Sequence, residues 1–478
     1  MFLPFLAAMS MTAQTNSPPA VYGVAPSARQ LAHEDMDTYA FLHFSPNTFT
    51  DREWGQGDED PNVFDPDHFD PDQIVMALKA GGMKGAILTC KHHDGFCLWP
   101  TKTTDHSIAA GKFEDGHGDI VRAISDACKR HGLKFGVYLS PWDRNNAKYG
   151  TPAYVDTYRS QLKELLTHYG PIFEVWHDGA NGGSGYYGGA KETRSIDPST
   201  YYGWPTTWAM VRQLQPKACV FSDIGPDLRW VGNEQGVAGE TCWATFTPQG
   251  INGKAPAPGY CNTDISPTGT QNGQNWIPAE CDVSIRPGWF WHEAENGKVK
   301  TAKQLVDLYY DSVGRGAFFL LNVPPDRHGL IEDEDAKALK DYRQIIDQTF
   351  AHNLLNGAKF KADERGPNFS AKNLLSTKRD RYWSTADDNV TPTVKLYLKS
   401  SQTFDVIRLR EATQLGQRVT SVGIDAWDEG WHEVATATSI GRCRLIRLNE
   451  PVTTDKLRLR VTGPVCPALY GFGIFKQP

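Results

Sequence analysis

Three apolar runs in this chain end abruptly in polar or aromatic residues. Gly85-Ala86-Ile87-Leu88-Thr89-Cys90 leads into Lys91-His92-His93-Asp94-Gly95-Phe96, Phe135-Gly136-Val137-Tyr138-Leu139 into Ser140-Pro141-Trp142, and Phe173-Glu174-Val175-Trp176 into His177-Asp178-Gly179. Their hydrophobicity is continuous rather than alternating, which indicates strands buried on both faces, as parallel sheets require. Tyr39-Ala40-Phe41-Leu42 before His43, Ala218-Cys219-Val220-Phe221-Ser222-Asp223, Val283-Ser284-Ile285-Arg286 and the run 317–323 extend the series. Between them lie segments with helical spacing. Ile120, Val121, Ile124, Ala127 and Cys128 share one face, and Val155, Tyr158, Leu162, Leu165, Leu166 and Tyr169 share another; further helices are predicted over 208–214, 301–313 and 333–350. Strand and helix in alternation predict an α/β fold. If the sheet closes into a (β/α)8-like barrel, the C-terminal strand ends form one crown, and catalytic groups belong there.

Beyond Ala351 the pattern changes to short alternating segments, Thr393-Val394-Lys395-Leu396-Tyr397-Leu398, Phe404-Asp405-Val406-Ile407-Arg408-Leu409 and Lys456-Leu457-Arg458-Leu459-Arg460-Val461. Short strands separated by turn residues predict an all-β sandwich. The expected organisation is an N-terminal segment 1–20, a barrel domain 21–350 and a sandwich 351–478. A chain of 478 residues accommodates both, since a barrel takes about 250 residues or more. Residues 225–275, rich in Gly, Pro, Asn and Thr, predict a loop of functional length. The start, Met1 to Gln14, has a short apolar core ending in Met11-Thr12-Ala13 and reads as an export signal without the usual basic region, with an ordinary disordered tail as the alternative, so a periplasmic or secreted location is expected. It is too short to span a membrane.

Charge narrows the partners. With 49 basic against 56 acidic residues and no basic block, nucleic acid is excluded as the expected ligand. Tryptophan is abundant, 14 residues against 7 methionines, and flat aromatic faces suit the C–H faces of sugars as well as cores. Nine cysteines with no CxxC spacing argue against structural zinc. Cys90 and Cys128 sit in apolar runs and read as buried thiols. Cys242, Cys261 and Cys281 lie in loop-like sequence, where an exported protein has room for one disulfide.

The chemistry centres on Asp178. An acid between a buried strand and a glycine is either a turn cap or a rigidly held nucleophile. His43, His92 and His93 follow predicted strands; singly they read as packing residues, together as a site. With Asp94 or Asp178 they compose a plausible metal set, and without a metal they read as hydrogen-bond donors to sugar hydroxyls. Glu53-Trp54-Gly55 and Trp289-Phe290-Trp291-His292 place aromatic surface beside a carboxylate or imidazole, the composition of a sugar pocket and of an aromatic core alike.

These residues carry a family resemblance. His43-Phe44-Ser45, Glu53-Trp54-Gly55, Lys91-His92-His93-Asp94-Gly95-Phe96, Val175-Trp176-His177-Asp178-Gly179, Arg229-Trp230-Val231-Gly232-Asn233-Glu234 and Ile285-Arg286-Pro287-Gly288-Trp289-Phe290 occur in order between Ala25 and Phe350. The chain resembles the retaining α-L-fucosidases of glycoside hydrolase family 29. The resemblance implies a barrel-like catalytic domain, Asp178 as nucleophile and a fucose pocket drawing on His43, Glu53, Trp54, His92, His93 and Tyr138, with no cofactor or metal. His177 departs from the phenylalanine often found before the nucleophile; it either tunes Asp178 or packs. The Arg229 to Glu234 motif resembles the subfamily acting on α-1,3/α-1,4 fucosyl branches, which implies Glu234 as acid/base. Glu240 and Glu280 compete for that role, Glu280 with hydroxyl binding as its alternative, and Trp54 or Trp289 is expected to face the fucose C5-methyl side. The expected partners are fucosylated oligosaccharides or glycoconjugates. The sandwich resembles galactose-binding-like modules. Two other functions stay open at this level: a metal-dependent hydrolase using His43, His92, His93 and Asp178, and a non-catalytic fucose-binding lectin. Oligomeric state is not legible in the sequence.

Overall fold

A computed structural model describes residues 16–478. The predicted export signal at Met1 to Ala13 lies outside the described residues. The chain divides into two compact units, Pro26–Ala351 and His352–Gln477, the second joined by the segment ending at Ala25.

The first unit is built on eight parallel strands: β1 (Thr38–Leu42), β2 (Gly85–Lys91), β3 (Lys134–Leu139), β4 (Ile172–Trp176), β5 (Cys219–Ser222), β6 (Leu228–Trp230), β7 (Ala279–Ser284) and β8 (Phe318–Asn322). Each pairs with its neighbours in chain order, and β8 returns to β1 in the register Thr38↔Phe319, closing the barrel. Burial on both faces explains the continuous apolar runs: every residue of β1, β2 and β4 is buried.

The flanking helices bury the faces their spacing predicts. Helix Ile120–His131 turns Ile120, Val121, Ile124, Ala127 and Cys128 inward, starts on Asp119, whose carboxylate accepts the Arg122 N–H at 2.8 Å, and ends on three basic residues. Helix Pro152–His168 buries Val155, Tyr158, Leu162, Leu165 and Leu166. Helices Pro71–Ala80, Trp204–Leu214, Ala302–Asp311 and Asp333–Phe350 complete the shell. No helix separates β5 from β6 or β6 from β7. The first gap is the turn 223–227, and the second is the long excursion 231–278, held by an antiparallel pairing of Thr245–Phe246 with Asn275–Trp276.

Two sequence expectations shift here. The late strand expected at Val283 to Arg286 is β7, Ala279–Ser284, and β6 falls inside the segment expected to be loop. Cys281 therefore lies in a buried strand, and all nine cysteines are free thiols, so the expected disulfide among Cys242, Cys261 and Cys281 is absent.

The second unit is an antiparallel sheet of seven strands dominated by two of 19 residues, Thr393–Glu411 and Arg444–Thr462. Register shifts near Tyr397–Gln402 and Phe404–Val406 divide these long strands. Alternation is kept at Thr393–Tyr397, where Val394 and Leu396 are buried and Thr393, Lys395 and Tyr397 face out. The segment before Ala25 is stitched to this unit: Arg365 Nε donates to Ser17 O at 2.7 Å, Arg418 Nη1 to Ala20 O at 2.9 Å, and Tyr22 N–H to Leu415 O at 2.9 Å. Among the described residues no helix is long and apolar enough to cross a membrane.

Candidate active site

Alternation along the barrel strands stacks their inward residues in rungs. Tyr39, Phe41 and then His43 follow β1; Glu174, Trp176 and then Asp178 follow β4; Glu280 and Asp282 follow β7. The last rungs open into a cavity of about 320 Å³ lined by His43, Glu53, Trp54, His92, His93, Tyr138, Trp176, Asp178, Asp223, Trp230, Glu234, Asp282 and Trp289, with Ile251, Tyr260, Cys261 and Thr263 from the long excursion.

Asp178 sits two residues past the end of β4. Its Oδ2 accepts the Tyr138 hydroxyl at 2.8 Å and its Oδ1 accepts the Ala180 N–H at 2.7 Å. Burial, and then the charge of Asp178, raise the Tyr138 pKa well above its ordinary value, so the phenol stays a donor. Glycine follows for a steric reason. A Cβ on Gly179 would lie 2.4 Å from Asp223 Oδ2, and one on Gly259, whose φ is +73°, would lie 2.0 Å from Gly179 O. Asp223 Oδ2 also accepts the Gly259 N–H at 2.6 Å, fixing the excursion beside Asp178.

The histidines are uncharged at neutral pH. Burial lowers His43 to about 4, and depresses His92 and His93 as well. Their neighbours set the tautomers. Asn322 Nδ2 donates to Ser284 Oγ and Trp289 O, so Asn322 Oδ1, 2.8 Å from His43 Nδ1, accepts a proton held on that nitrogen. Ser140 Oγ donates to Trp142 O and accepts from His93 Nδ1 at 2.7 Å. His43 and His93 therefore carry bare Nε2 atoms, that of His93 being 3.9 Å from Asp178 Oδ2. They present hydrogen-bond acceptors, where donors were expected. Lys91, just before the pair, is fully buried and turned away, bonded to Asp143, Tyr154 and Gln161.

The rim is assembled around Glu53. Its carboxylate accepts the N–H groups of Trp289 and Phe290 at 2.9 and 3.3 Å and meets His292 Nε2 at 2.6 Å. Burial opposes protonation of His292, but Asp51 and Glu53 outweigh it and raise its pKa. Trp289 in turn points Nε1 at Glu234 Oε2, 3.4 Å away. Trp54, 50% exposed, stands edge-on to His93 and Trp142. Arg229, fully buried, donates to Ser266 O, Trp243 O and Ile277 O, so the arginine of the Glu234 motif holds the excursion in shape.

Glu280 does not reach the cavity. It is fully buried one rung below, bonded to the Tyr39 hydroxyl and, at 2.8 Å, to Trp176 Nε1, so it has no access to a substrate hydroxyl or leaving oxygen. Glu240 does not border the cavity either. Asp94 is buried, held by the Phe96 N–H at 2.6 Å and pushed up to about 7 by burial. His177 faces away from Asp178: its Nδ1 lies 2.8 Å from the Tyr158 hydroxyl and its ring packs on Trp204, so it packs rather than tunes. The metal set expected from His43, His92, His93 and Asp178 does not form. Among the described residues, metal-capable atoms converge at Asp67, His68 and His328 and at His33, Glu174 and Glu280, not at these three histidines.

Several lining residues escaped the sequence reading. Asp223 follows the end of β5 as Asp178 follows that of β4, a signal present in the sequence; burial raises it to about 6, with the Asp178 charge adding to the rise. Asp282 accepts the Trp230 indole N–H at 2.7 Å, and burial, then Glu234, raise its pKa well above the ordinary value.

The Alpha-L-fucosidase family model matches residues 27–347, and an F5/8 type C domain model matches residues 359–470, which makes the second unit a β-sandwich of that type. Alpha-L-fucosidase 1 of Arabidopsis thaliana is 42% identical over 445 residues, 91% of this chain and 84% of the relative. The crystal structure of a putative α-L-fucosidase from Bacteroides thetaiotaomicron superposes with a TM-score of 0.87 at 37% identity, covering 96% of this chain and 99% of that one. A Ruminococcus gnavus fucosidase of glycoside hydrolase family 29, solved in complex with fucose, gives a TM-score of 0.84 at 29% identity over 98% of this chain and 97% of that one. With a closed parallel barrel, a polar cavity at its strand ends and these relatives over nearly its whole length, the chain belongs to the α-L-fucosidases of glycoside hydrolase family 29.

Proposed function

We propose that this α-L-fucosidase is an exo-acting, retaining enzyme that removes terminal α-1,3- or α-1,4-linked fucose from branched glycans by double displacement. The observation that carries this reading is that Asp178 and Glu234, from separate elements, border one cavity whose wall also holds His43, His92 and His93. Asp178 is the nucleophile: the Tyr138 hydroxyl and Ala180 N–H orient its carboxylate and leave it partly exposed to the anomeric carbon. Glu234, on the rim and exposed, protonates the leaving oxygen as the glycosyl-enzyme forms, then deprotonates the water that releases fucose with retained configuration.

The neutral histidines recognise fucose by accepting from its hydroxyls at Nε2 of His43 and His93. Trp54 and Trp289 supply apolar faces at the rim. Ile251, Tyr260 and Thr263 of the excursion line the cavity and are the proposed contacts of the sugar that leaves; the Arg229 to Glu234 motif supports the branched-linkage reading.

The test is hydrolysis of fucosylated oligosaccharides differing only in linkage, beside a simple aryl fucoside, with the anomer of the first product followed by NMR. Asp178→Ala is expected to fold and to lose turnover by orders of magnitude. Substantial residual turnover defeats the nucleophile assignment, β-fucose as first product defeats retention, and equal rates on α-1,2 and α-1,3/α-1,4 substrates defeat the linkage.

A further inference from the structure

Below the cavity the barrel holds a second set of ionisable groups that the mechanism does not use. Glu174 on β4 and Glu280 on β7 are both fully buried, and with His33 they bring ring-nitrogen and carboxyl-oxygen atoms within 4.8 Å of one another. Two buried carboxyl groups this close do not both ionise readily. Burial drives both groups towards the protonated form, Glu280 to about 7 and Glu174 well above its ordinary value, with the charge of Glu280 adding to the shift of Glu174. Both Glu280 oxygens accept hydrogen bonds while neither Glu174 oxygen has a hydrogen-bond partner, so Glu280 is the carboxylate and Glu174 takes the proton. His33 closes the ring, with Nε2 3.1 Å from the Tyr39 hydroxyl and 3.4 Å from Glu174 Oε2.

The acceptors of Glu280 have defined clients. Oε2 takes the Tyr39 hydroxyl and Oε1 takes the Trp176 indole N–H at 2.8 Å. Trp176 lines the cavity and precedes Asp178 by two residues. Its ring lies between Phe221, at 4.1 Å and 10°, and Tyr138, at 5.4 Å and 29°. Tyr138 is the residue whose hydroxyl reaches Asp178.

We infer that Glu280, paired with Glu174, is a positioning residue for the reaction: it pins the Trp176 indole from below and, through the Trp176–Tyr138 stack, aims the hydroxyl that orients Asp178. The inference rests on Asp178 being the nucleophile. A carboxyl group is suited to this work because a single planar group accepts from both Tyr39 and Trp176. An aliphatic residue fills the space and leaves the indole N–H buried without an acceptor.

The test compares Glu280→Leu, Glu280→Gln and Trp176→Phe in the full chain, reading thermal melts together with kcat and KM on an aryl fucoside. Glu280→Leu is expected to lower kcat about tenfold or more while KM changes less, since a small displacement of a reacting group costs on this scale. Glu280→Gln, which still accepts the indole N–H, is expected to restore kcat. Trp176→Phe keeps the ring and loses the N–H, so it is expected to lower kcat in the same way and carries the test if Glu280→Leu does not fold.

An unchanged kcat in folded Glu280→Leu or in Trp176→Phe, or a loss confined to KM, overturns the inference, and so does a Glu280→Gln variant as impaired as Glu280→Leu. His33, Glu174 and Glu280 also have the donor set of a divalent-cation site; one equivalent of metal on the purified enzyme would replace the proton on Glu174 and overturn it as well. Asp178→Ala, measured alongside, separates the two claims. Turnover without Asp178 defeats the nucleophile assignment, whereas an inactive Asp178→Ala with unchanged kcat in the Glu280 and Trp176 variants defeats the positioning role alone.

Discussion

The Tyr138 hydroxyl is committed to Asp178 Oδ2 at 2.8 Å, and the phenol comes from β3 while the carboxylate follows β4. The carboxylate proposed as nucleophile is thus aimed by a neighbouring strand. A hydrogen bond to a charged group is worth about 1.5–3 kcal/mol. Tyr138→Phe removes it without opening space, so kcat/KM is expected to fall by about 10- to 100-fold. A measurement of kcat/KM on an aryl fucoside checks this; an unchanged value shows that Tyr138 only fills space.

Asp223 is a second acid beside Asp178, and burial first, then the charge of Asp178, raise it from 3.8 to about 6. The folded state therefore binds a proton that the unfolded chain has released between those two values, and this group's contribution to stability falls as pH rises across that window. Asp223→Asn keeps an oxygen for the Gly259 N–H and removes the titration, so it is expected to flatten the stability slope there. Thermal melts of wild type and Asp223→Asn at several pH values check the slope; an unchanged slope defeats the account.

What the sequence displayed and what it hid follow from one property of closed barrels. Strands whose inward and outward faces are both apolar, such as Gly85–Lys91, stand out as continuous runs. Strands that carry the interior's charged groups do not. β6 is three residues interrupted by Arg229, whose guanidinium is satisfied by loop carbonyls, and β7 alternates Glu280 and Asp282 with apolar positions. A hydrophobicity reading discounts the residues that make those strands interesting. The cavity lining was legible where a polar residue ends an apolar run, at His43, His92, His93 and Asp178. It was illegible where function depends on partners distant in sequence. Asn322 sets the His43 tautomer from β8, and Trp176 hides Glu280 from the cavity.

The rim carries its own pH dependence. His292 bridges Asp51 and Glu53, at 2.7 and 2.6 Å, and those carboxylates raise its pKa against the effect of burial. The ion pairs are fully present below the ordinary histidine value of about 6.5 and are lost as pH rises through the raised folded value. The 288–292 segment positions Trp289, so KM is expected to rise as His292 deprotonates. Exposed pairs are worth about 0.2–1 kcal/mol, which corresponds to a change of up to about fivefold. His292→Gln is expected to show the higher KM already at pH 6 and to lose the pH dependence. A wild-type KM that stays flat from pH 6 to 8 sinks this account.

The sandwich has a buried carboxyl whose role is structural. Glu411 is fully buried; Oε1 accepts the N–H groups of Arg418 and Val419 at 2.7 and 2.9 Å, and Oε2 accepts that of Gly441 at 2.7 Å. Burial raises it from 4.5 to about 7 although these three donors favour the ionised form. The folded state therefore binds a proton that the unfolded chain has already released between those two values, and this group's contribution to stability falls as pH rises across that window. Glu411→Gln removes the titration and is expected to flatten the stability slope there. It also turns an amide N–H2 towards one backbone donor, at a cost of about 1–3 kcal/mol. Glu411→Ala strands all three donors and is expected to cost about 3 kcal/mol or more. Thermal melts at several pH values check the order wild type, Glu411→Gln, Glu411→Ala at pH 6. Fucoside hydrolysis below the melting transition is expected to be unchanged in both variants, because Glu411 belongs to the second unit and the cavity is lined by the first.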